Sequence, residues 1–293
     1  MRDHIRIWHF PGDTIYANIR FMSNIIFSII AISLYIGTAG LLGYRLFIRH
    51  LSTEGIKVQV ISIAAVALLA HAIVLARTVI TPTGLNLGFY HALSLMSWVV
   101  ALLVILVTTI KPVENLSIVF LPLTGIALLL EQLFPNDDIL TERATIGLQL
   151  HILLSVTAYS LLTIAAMQSI VLAIQEARLR KKHPGPIMGI LPPLQDMEEI
   201  LIQVLAIGFF LLSMSLATGL MFIHDIFAQH ISQKIVLSII SWCVFALLLW
   251  GRWSWGWRGR HLIRWTLSGF TLLVLAYFGS KIVYEFILHT PMN

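Results

Sequence analysis

Residues 58–79 read VQVISIAAVALLAHAIVLARTV, an apolar stretch with one histidine, His71, and one arginine, Arg77, toward its end. As a helix it would be about 33 Å long at 1.5 Å per residue, enough to cross the roughly 30 Å hydrocarbon core of a bilayer. Polar and apolar residues do not alternate along it, which favours a helix over a strand of a membrane barrel. The stretch therefore predicts a transmembrane helix.

The rest of the chain repeats this pattern. Of its 293 residues, 58% are hydrophobic and 11% are charged, whereas about 25% are charged in a typical soluble domain. We predict an all-α, polytopic membrane bundle of about eight transmembrane helices, which forms a single domain over residues 22–293. The predicted spans are about 23–44, 58–79, 88–110, 115–131, 146–174, 200–223, 234–250 and 265–287.

Residues 1–21 are polar and lack the apolar core of a cleavable signal peptide. A more regular apolar helix, MSNIIFSIIAISLY, begins at Met22. We therefore treat residues 1–21 as an N-terminal extension and hypothesise that translation starts at Met22.

Lysine and arginine are unevenly divided between the predicted loops, and twelve of the 19 lie in loops 1–2, 3–4, 5–6 and 7–8. Because positively charged short loops stay in the cytoplasm, this asymmetry places both termini on the extracytoplasmic side. The connection between the fourth and fifth spans is then external, and its acidic residues, Glu131 among them, are expected outside the cell. The twelve residues are Arg45, Arg49, Lys57, Lys111, Arg178, Arg180, Lys181, Lys182, Arg252, Arg258, Arg260 and Arg264.

Several function classes are disfavoured by composition and motifs. The single cysteine, Cys243, allows neither an internal disulfide nor a CxxC motif. The formal net charge of +5 comes largely from loops that set topology, so the expected partner is the lipid bilayer and not nucleic acid. The sequence contains no HExxH motif, no clustered Cys/His pair, no Gly-rich phosphate loop and no carboxylate dyad inside the predicted spans. These features favour a binding role over an enzymatic one.

Six histidines lie at or near the predicted extracytoplasmic ends of the spans: His71, His91, His151, His224, His230 and His289. Neutral imidazole is a common ligand for haem iron and for zinc, and ionisable groups in a membrane usually face the bundle interior. The alternative is that a histidine at a helix end only keeps one nitrogen in contact with interfacial water. Both interpretations stay open from the residues alone.

Polar companions follow His151 at helical spacing. Ser155 and Tyr159 come four and eight residues later, so one face of the fifth predicted helix is polar. We expect this face to contact a ligand or a partner and not lipid. Hydrogen bonding between helices through serine and threonine is the alternative.

Residues 250–260, WGRWSWGWRGR, combine tryptophan with arginine. This combination is typical of an anchoring belt at a membrane boundary. A flat aromatic surface for a porphyrin is the alternative. The arginines place the run on the predicted cytoplasmic side, away from the histidines, which favours anchoring.

Three segments resemble the cytochrome c assembly family of polytopic membrane proteins. Residues 147–159, GLQLHILLSVTAY, are similar to the family's helix with a haem-liganding histidine at its outer end. Residues 87–98, LGFYHALSLMSW, are similar to a second segment, with His91 where the family commonly has glutamate. Residues 256–259, GWRG, and 276–279, AYFG, resemble the pair around the last helix, most closely in a bacterial inner-membrane subgroup.

The resemblance implies a bacterial inner-membrane protein that binds haem b and works in cytochrome c maturation, with haem-delivery or maturation proteins as partners. His151 matches the family's first external haem ligand, and His289 lies within a residue of the second. The guanidinium of Arg77 is expected to pair with a haem propionate. The other expected cofactor-binding residues are His71, His91 and Tyr159.

Two departures separate the chain from the haem ligases of this family. Residues 224–233, HDIFAQHISQ, stand where the family has a Trp-rich segment, and Trp250 stands where haem–apocytochrome synthases carry a histidine. We therefore predict a haem-handling protein that is not a complete ligase. Two alternatives stay open: a transporter whose external histidines sense protons or metal ions, and an accessory or scaffold subunit of another membrane protein.

Overall fold

The structure of the chain is a computed structural model. It describes residues 11–48, 54–81, 84–110, 114–134, 139–140, 146–180, 193–222 and 229–279. Within these residues, eight helices are long and apolar enough to cross a membrane, which confirms the predicted polytopic bundle. Two π-helical turns, Tyr44–Ile48 and Leu275–Gly279, continue the first and last helices. The helices are α1 (Pro11–Gly43), α2 (Lys57–Thr78), α3 (Phe89–Ile110), α4 (Glu114–Leu133), α5 (Ile146–Arg180), α6 (Leu194–Phe222), α7 (Gln229–Trp255) and α8 (Arg260–Val274).

Some helices extend well beyond the predicted apolar stretches. Helix α5 continues to Arg180 instead of residue 174, α6 begins at Leu194 instead of residue 200, and α8 begins at Arg260 instead of residue 265. Helical hydrogen bonds do not require apolar side chains, so a helix that leaves the lipid continues until a breaker stops it. Pro193 precedes α6, and Gly259, with a φ of 51°, precedes α8.

Two large buried clusters form the core. In the first, small residues such as Ala31 of α1 and Ala64 of α2 are fully buried, which lets the first helices approach closely. The second contains larger residues of α5 to α8, such as Leu162 and Phe245. A smaller cluster around Val104 joins α3 and α4 to α5 and α6. The eight helices therefore share one continuous core.

A small antiparallel sheet lies at one end of the bundle and was not anticipated from the sequence. Strands β1 (Ile80–Thr81), β2 (Gly84–Asn86) and β3 (Ile139–Leu140) pair in that order. The connection between α2 and α3 is thereby bonded to the connection between α4 and α5.

Helix α1 begins at Pro11 and continues through residue 22, so the predicted boundary between extension and membrane domain falls inside a helix. Translation from Met22 stays a prediction, as does the extracytoplasmic position of both termini. We call the end of the bundle that carries the sheet the sheet end. The opposite end, where α5 finishes and α8 begins, is the basic end.

Glu131 lies buried within α4 at the sheet end, so its predicted position in an external loop was wrong. Its Oε1 accepts hydrogen bonds from Nδ1 of His91 at 2.9 Å and from Oγ1 of Thr78 at 2.7 Å. His91 is only 5% exposed, which excludes the interfacial interpretation. Glu131 belongs to the membrane span Leu116–Leu133, so a carboxylate lies within the membrane domain.

His71 is fully buried in α2, and both of its ring nitrogens have partners. Nε2 is hydrogen-bonded to Oγ of Ser94 on α3 at 2.9 Å, and Nδ1 lies 3.4 Å from the hydroxyl of Tyr35 on α1. The indole of Trp98 donates to the carbonyl oxygen of Leu68 at 2.9 Å, a second polar link between α2 and α3. Polar contacts thus join the first four helices inside the bundle.

Replacing Glu131 with alanine is expected to lower the free energy of unfolding by roughly 3–5 kcal/mol, because His91 is then buried without its partner. Glu176→Ala is the matched control. Glu176 pairs with Arg180 at 2.9 Å, but the two side chains are 26% and 58% exposed, and such pairs contribute about 0–1 kcal/mol. Reversible unfolding in mixed micelles measures both variants. Equal destabilisation would show that the buried pair is not needed to hold the bundle.

Candidate functional site

A cavity of about 230 Å³ lies at the sheet end between α3, α5, α6, α7 and the π-helical turn after α8. His151, in the second turn of α5, lines it together with Ser155 and Tyr159. The polar face predicted for this helix therefore does line a space that can hold a ligand. Oγ of Ser155 is also 2.7 Å from Oγ of Ser215 on α6, so the alternative, hydrogen bonding between helices, applies to the same face.

The imidazole of His151 is oriented by α6. Nδ1 lies 2.9 Å from the carbonyl oxygen of Ser215, and because a carbonyl only accepts, Nδ1 must carry the proton. The neutral ring then has its lone pair on Nε2, which lies 3.4 Å from Oγ of Ser155. Metal-ligating histidines are commonly fixed in this way, with one nitrogen bonded to a backbone carbonyl and the other left for the metal.

Gly219 on α6 makes room for this ring. A Cβ at residue 219 would lie 2.9 Å from Cε1 and 3.2 Å from Nδ1 of His151, closer than a real Cβ approaches its neighbours. Glycine inside a helix costs about 1 kcal/mol relative to alanine. The close approach of the imidazole is a physical reason for a glycine at this position.

The cavity is mostly apolar, with a few polar groups at fixed positions. The hydroxyl of Tyr159 donates to the carbonyl oxygen of Leu273 at 3.3 Å, and its ring packs edge-on against Tyr277. Lys234 and Ser238 of α7 contribute an ammonium group and a hydroxyl. None of the described residues that line the cavity is a carboxylate. This lining suits an apolar ligand that carries negative charge at one edge.

Haem fits this set of donors. Nε2 of His151 can supply the axial imidazole nitrogen that haem iron takes in many haem proteins, and Lys234 brings a charge that complements a propionate. The volume of about 230 Å³ is below the usual range of about 300–1,000 Å³ for ligand pockets. The cavity would therefore enclose only part of a porphyrin, held at the edge of the bundle.

Arg77 lies elsewhere, and its pairing with a haem propionate stays a prediction. Its guanidinium donates to Oγ of Ser23 at 2.7 Å and to Oδ1 of Asn24 at 3.2 Å, both on α1. It also lies 5.4 Å from the ring centroid of Phe27. These contacts hold Arg77 between α1 and α2, and it does not line the cavity.

Two of the predicted reserve ligands, His71 and His91, do not line the cavity either. Both belong to the buried polar contacts of the first four helices, where each already has a hydrogen-bond partner. Both histidines therefore contribute to the fold, and their role in cofactor binding stays a prediction. His289 lies outside the described residues, and its role as the second ligand stays a prediction.

Sequence reasoning missed most of the cavity outside α5. Tyr277 had a signal, since it belongs to the AYFG segment, but Ser215 and Gly219 of α6 and Lys234 of α7 were not singled out. The first two are small residues at a spacing of four, a pattern typical of close helix packing in membranes. That pattern could have indicated where α6 approaches α5.

The tryptophan run lies at the basic end, away from this cavity. Trp253 is 83% exposed, and Trp250 and Trp255 are also exposed. Trp257 instead stacks on Trp265, with ring centroids 5.7 Å apart. Exposed indoles at a helix end support the anchoring interpretation.

Residues 59–288 of the chain match the model of the cytochrome C assembly protein family. The inner membrane protein YpjD of Escherichia coli K12 is 36% identical over 230 residues, which cover 76% of this chain and 86% of YpjD. A 28.8 kDa protein of Azospirillum brasilense is 36% identical over 148 residues, which cover 49% of this chain and 54% of that protein.

The cytochrome c biogenesis protein CcsA of Synechocystis is more distant, with 28% identity over 89 residues that cover 30% of this chain and 27% of CcsA. No solved structure matches the chain significantly. The resemblance seen in the sequence is confirmed by the family match and by the extent of the similarity to YpjD. The chain therefore belongs to the cytochrome c assembly protein family.

Proposed function

We propose that this chain binds haem b beside His151 and handles it during cytochrome c maturation. As a member of its family, it is a multi-pass inner-membrane protein related to that process. The observation that carries the proposal is the state of the His151 ring. Its Nδ1 is fixed by the carbonyl oxygen of Ser215, and its Nε2 is left as the basic nitrogen of a residue that lines an apolar cavity.

Each part of the cavity has a distinct task in this proposal. His151 would hold the haem iron through Nε2, while Ser215 and Gly219 set the tautomer and position of its ring. Apolar lining residues of α3 and α6 exclude water from the ring, and Lys234 is the counter-charge for a propionate. Bound haem would supply the iron chemistry and would be the group delivered onward. The protein supplies affinity, orientation and a dry surface.

Handling is proposed here instead of complete ligation to apocytochrome. Residues 224–233 contain no tryptophan, and no described residue that lines the cavity is acidic or a thiol. The cavity therefore offers a place to hold haem and no evident group for thioether chemistry. We propose that haem-delivery or cytochrome c maturation proteins are the partners that exchange haem with this site.

Haem loading of the purified protein tests the proposal. The wild type in mild detergent is expected to show a Soret band and a b-type pyridine haemochrome spectrum. His151→Ala is expected to bind haem at least about tenfold more weakly, since the axial nitrogen is lost. His261→Ala is the matched control, because His261 is exposed at the basic end and stacks on Trp257.

Two results would contradict the proposal. One is a wild-type protein that, after loading, shows no Soret band above that of free haem in the same detergent. The other is a His151→Ala variant that binds haem as tightly as His261→Ala does. If His151 and its neighbours served only to hold the fold, loading would produce no such Soret band, and the two variants would not differ in haem binding.

The position of the ring can be tested separately. Gly219→Ala is expected to weaken haem binding by roughly tenfold, because the new Cβ forces the His151 imidazole away from the Ser215 carbonyl oxygen. Gly40→Ala is the control, since nothing lies within 4 Å of a Cβ there. Spectrophotometric haem titration measures both variants, and melting temperatures confirm that both fold. Unchanged affinity in Gly219→Ala would show that the ring is free to move.

A further inference from the structure

A second cleft, of about 340 Å³, lies at the basic end between the last turns of α5 and the first turns of α8. Three arginines line it: Arg180 of α5, and Arg260 and Arg264 of α8. Arg260 and Arg264 are four residues apart and so lie on one face of their helix. This cleft shares no lining residue with the cavity beside His151.

Nearby carboxylates neutralise only part of this charge. Glu176, which also lines the cleft, pairs with Arg180 at 2.9 Å. Glu198, on α6, accepts a hydrogen bond from the backbone nitrogen of Gly259 at 2.8 Å and lies 3.8 Å from Arg258. Within the part of the chain that the structure describes, the guanidinium groups at positions 260 and 264 have no ion-pair or hydrogen-bond partner.

The start of α8 adds to the positive potential of the cleft. The first backbone N–H groups of a helix have no intrahelical acceptor and carry the positive end of the helix dipole. The residue before α8 is Gly259, which has no side chain that could cap them. Arg260, the first residue of the helix, is itself one of the lining residues. The cleft therefore combines two guanidinium groups that have no partner among the described residues with the start of α8, where the Glu198 carboxylate accepts one backbone N–H.

The cleft lies where the two helices meet the membrane boundary. The span of α5 ends at Arg180, and the span of α8 begins at Arg260. Ala177 and Ile263 add apolar surface beside the arginines. Phospholipid headgroups bring phosphate oxygens to this depth, and guanidinium groups bind phosphate through paired hydrogen bonds. We propose that this cleft binds the phosphate group of an anionic phospholipid, with Arg260 and Arg264 as the main contacts.

Lipid binding to the delipidated, full-length protein in mild detergent tests this proposal, with native mass spectrometry as the readout. Phosphatidylglycerol is expected to bind at least about fivefold more tightly than phosphatidylcholine, which has the same phosphate but no net charge. Arg264→Gln is expected to weaken phosphatidylglycerol binding by about fivefold. Arg178→Gln is the matched control, because this exposed arginine of α5 does not line the cleft, and its binding is expected to equal that of the wild type.

Three outcomes would overturn the proposal. Unchanged affinity in Arg264→Gln would show that the cleft does not hold the lipid. An equal loss in Arg178→Gln would show general attraction to the basic end. If inorganic phosphate binds as tightly as the lipid and with the same dependence on Arg264, the ligand of the cleft is a free anion and not a phospholipid. If Arg264→Gln does not fold, judged by gel filtration and circular dichroism, Arg260→Gln takes its place in the same comparison.

Discussion

In the apolar interior of a membrane, a polar side chain is stable only when another part of the protein satisfies it. The bond between His91 and Glu131 is the clearest case here, because their side chains are only 6% and 0% exposed. This bond joins α3 to α4, and Thr78 adds α2 through the same carboxylate oxygen. Three helices are joined at this one carboxylate oxygen, so the packing of α2, α3 and α4 at the sheet end depends on this pairing.

The same constraint distinguishes His151 from the other histidines of the sheet end. His71 has a hydroxyl partner on each nitrogen, and His91 has a carboxylate. His151 has a backbone carbonyl on one nitrogen, and among the described residues it is the one of these three that lines a cavity. The carbonyl accepts the proton on Nδ1 and so fixes the tautomer of the neutral ring, in which Nε2 is the nitrogen that can bind a metal. Among these three histidines, His151 is therefore the best candidate for a metal ligand, because of the partners that the ring nitrogens have.

The eight spans could be predicted from sequence because length and hydropathy alone decide which segments enter lipid. The polar face of α5 could be predicted as well, since helical spacing places Ser155 and Tyr159 beside His151 within one element. The pairing of Glu131 with His91 could not be predicted from the sequence, because it joins residues 40 positions apart and depends on how two helices pack. The contacts of Arg77 could not be predicted for the same reason, since its partners lie on α1, 53 and 54 positions away.

The length of α5 explains why a haem site would lie at the rim of the bundle. Its 35 residues make it about 52 Å long, well beyond the roughly 30 Å hydrocarbon core, so both ends reach the headgroup region. His151, in the second turn, therefore lies near a boundary and not at the membrane centre. Haem has an apolar ring and charged propionates, and a central site would bury those charges at great cost. If the proposed haem bound at the rim, the apolar lining would be available to its ring, and Lys234 and water would be available to its propionates.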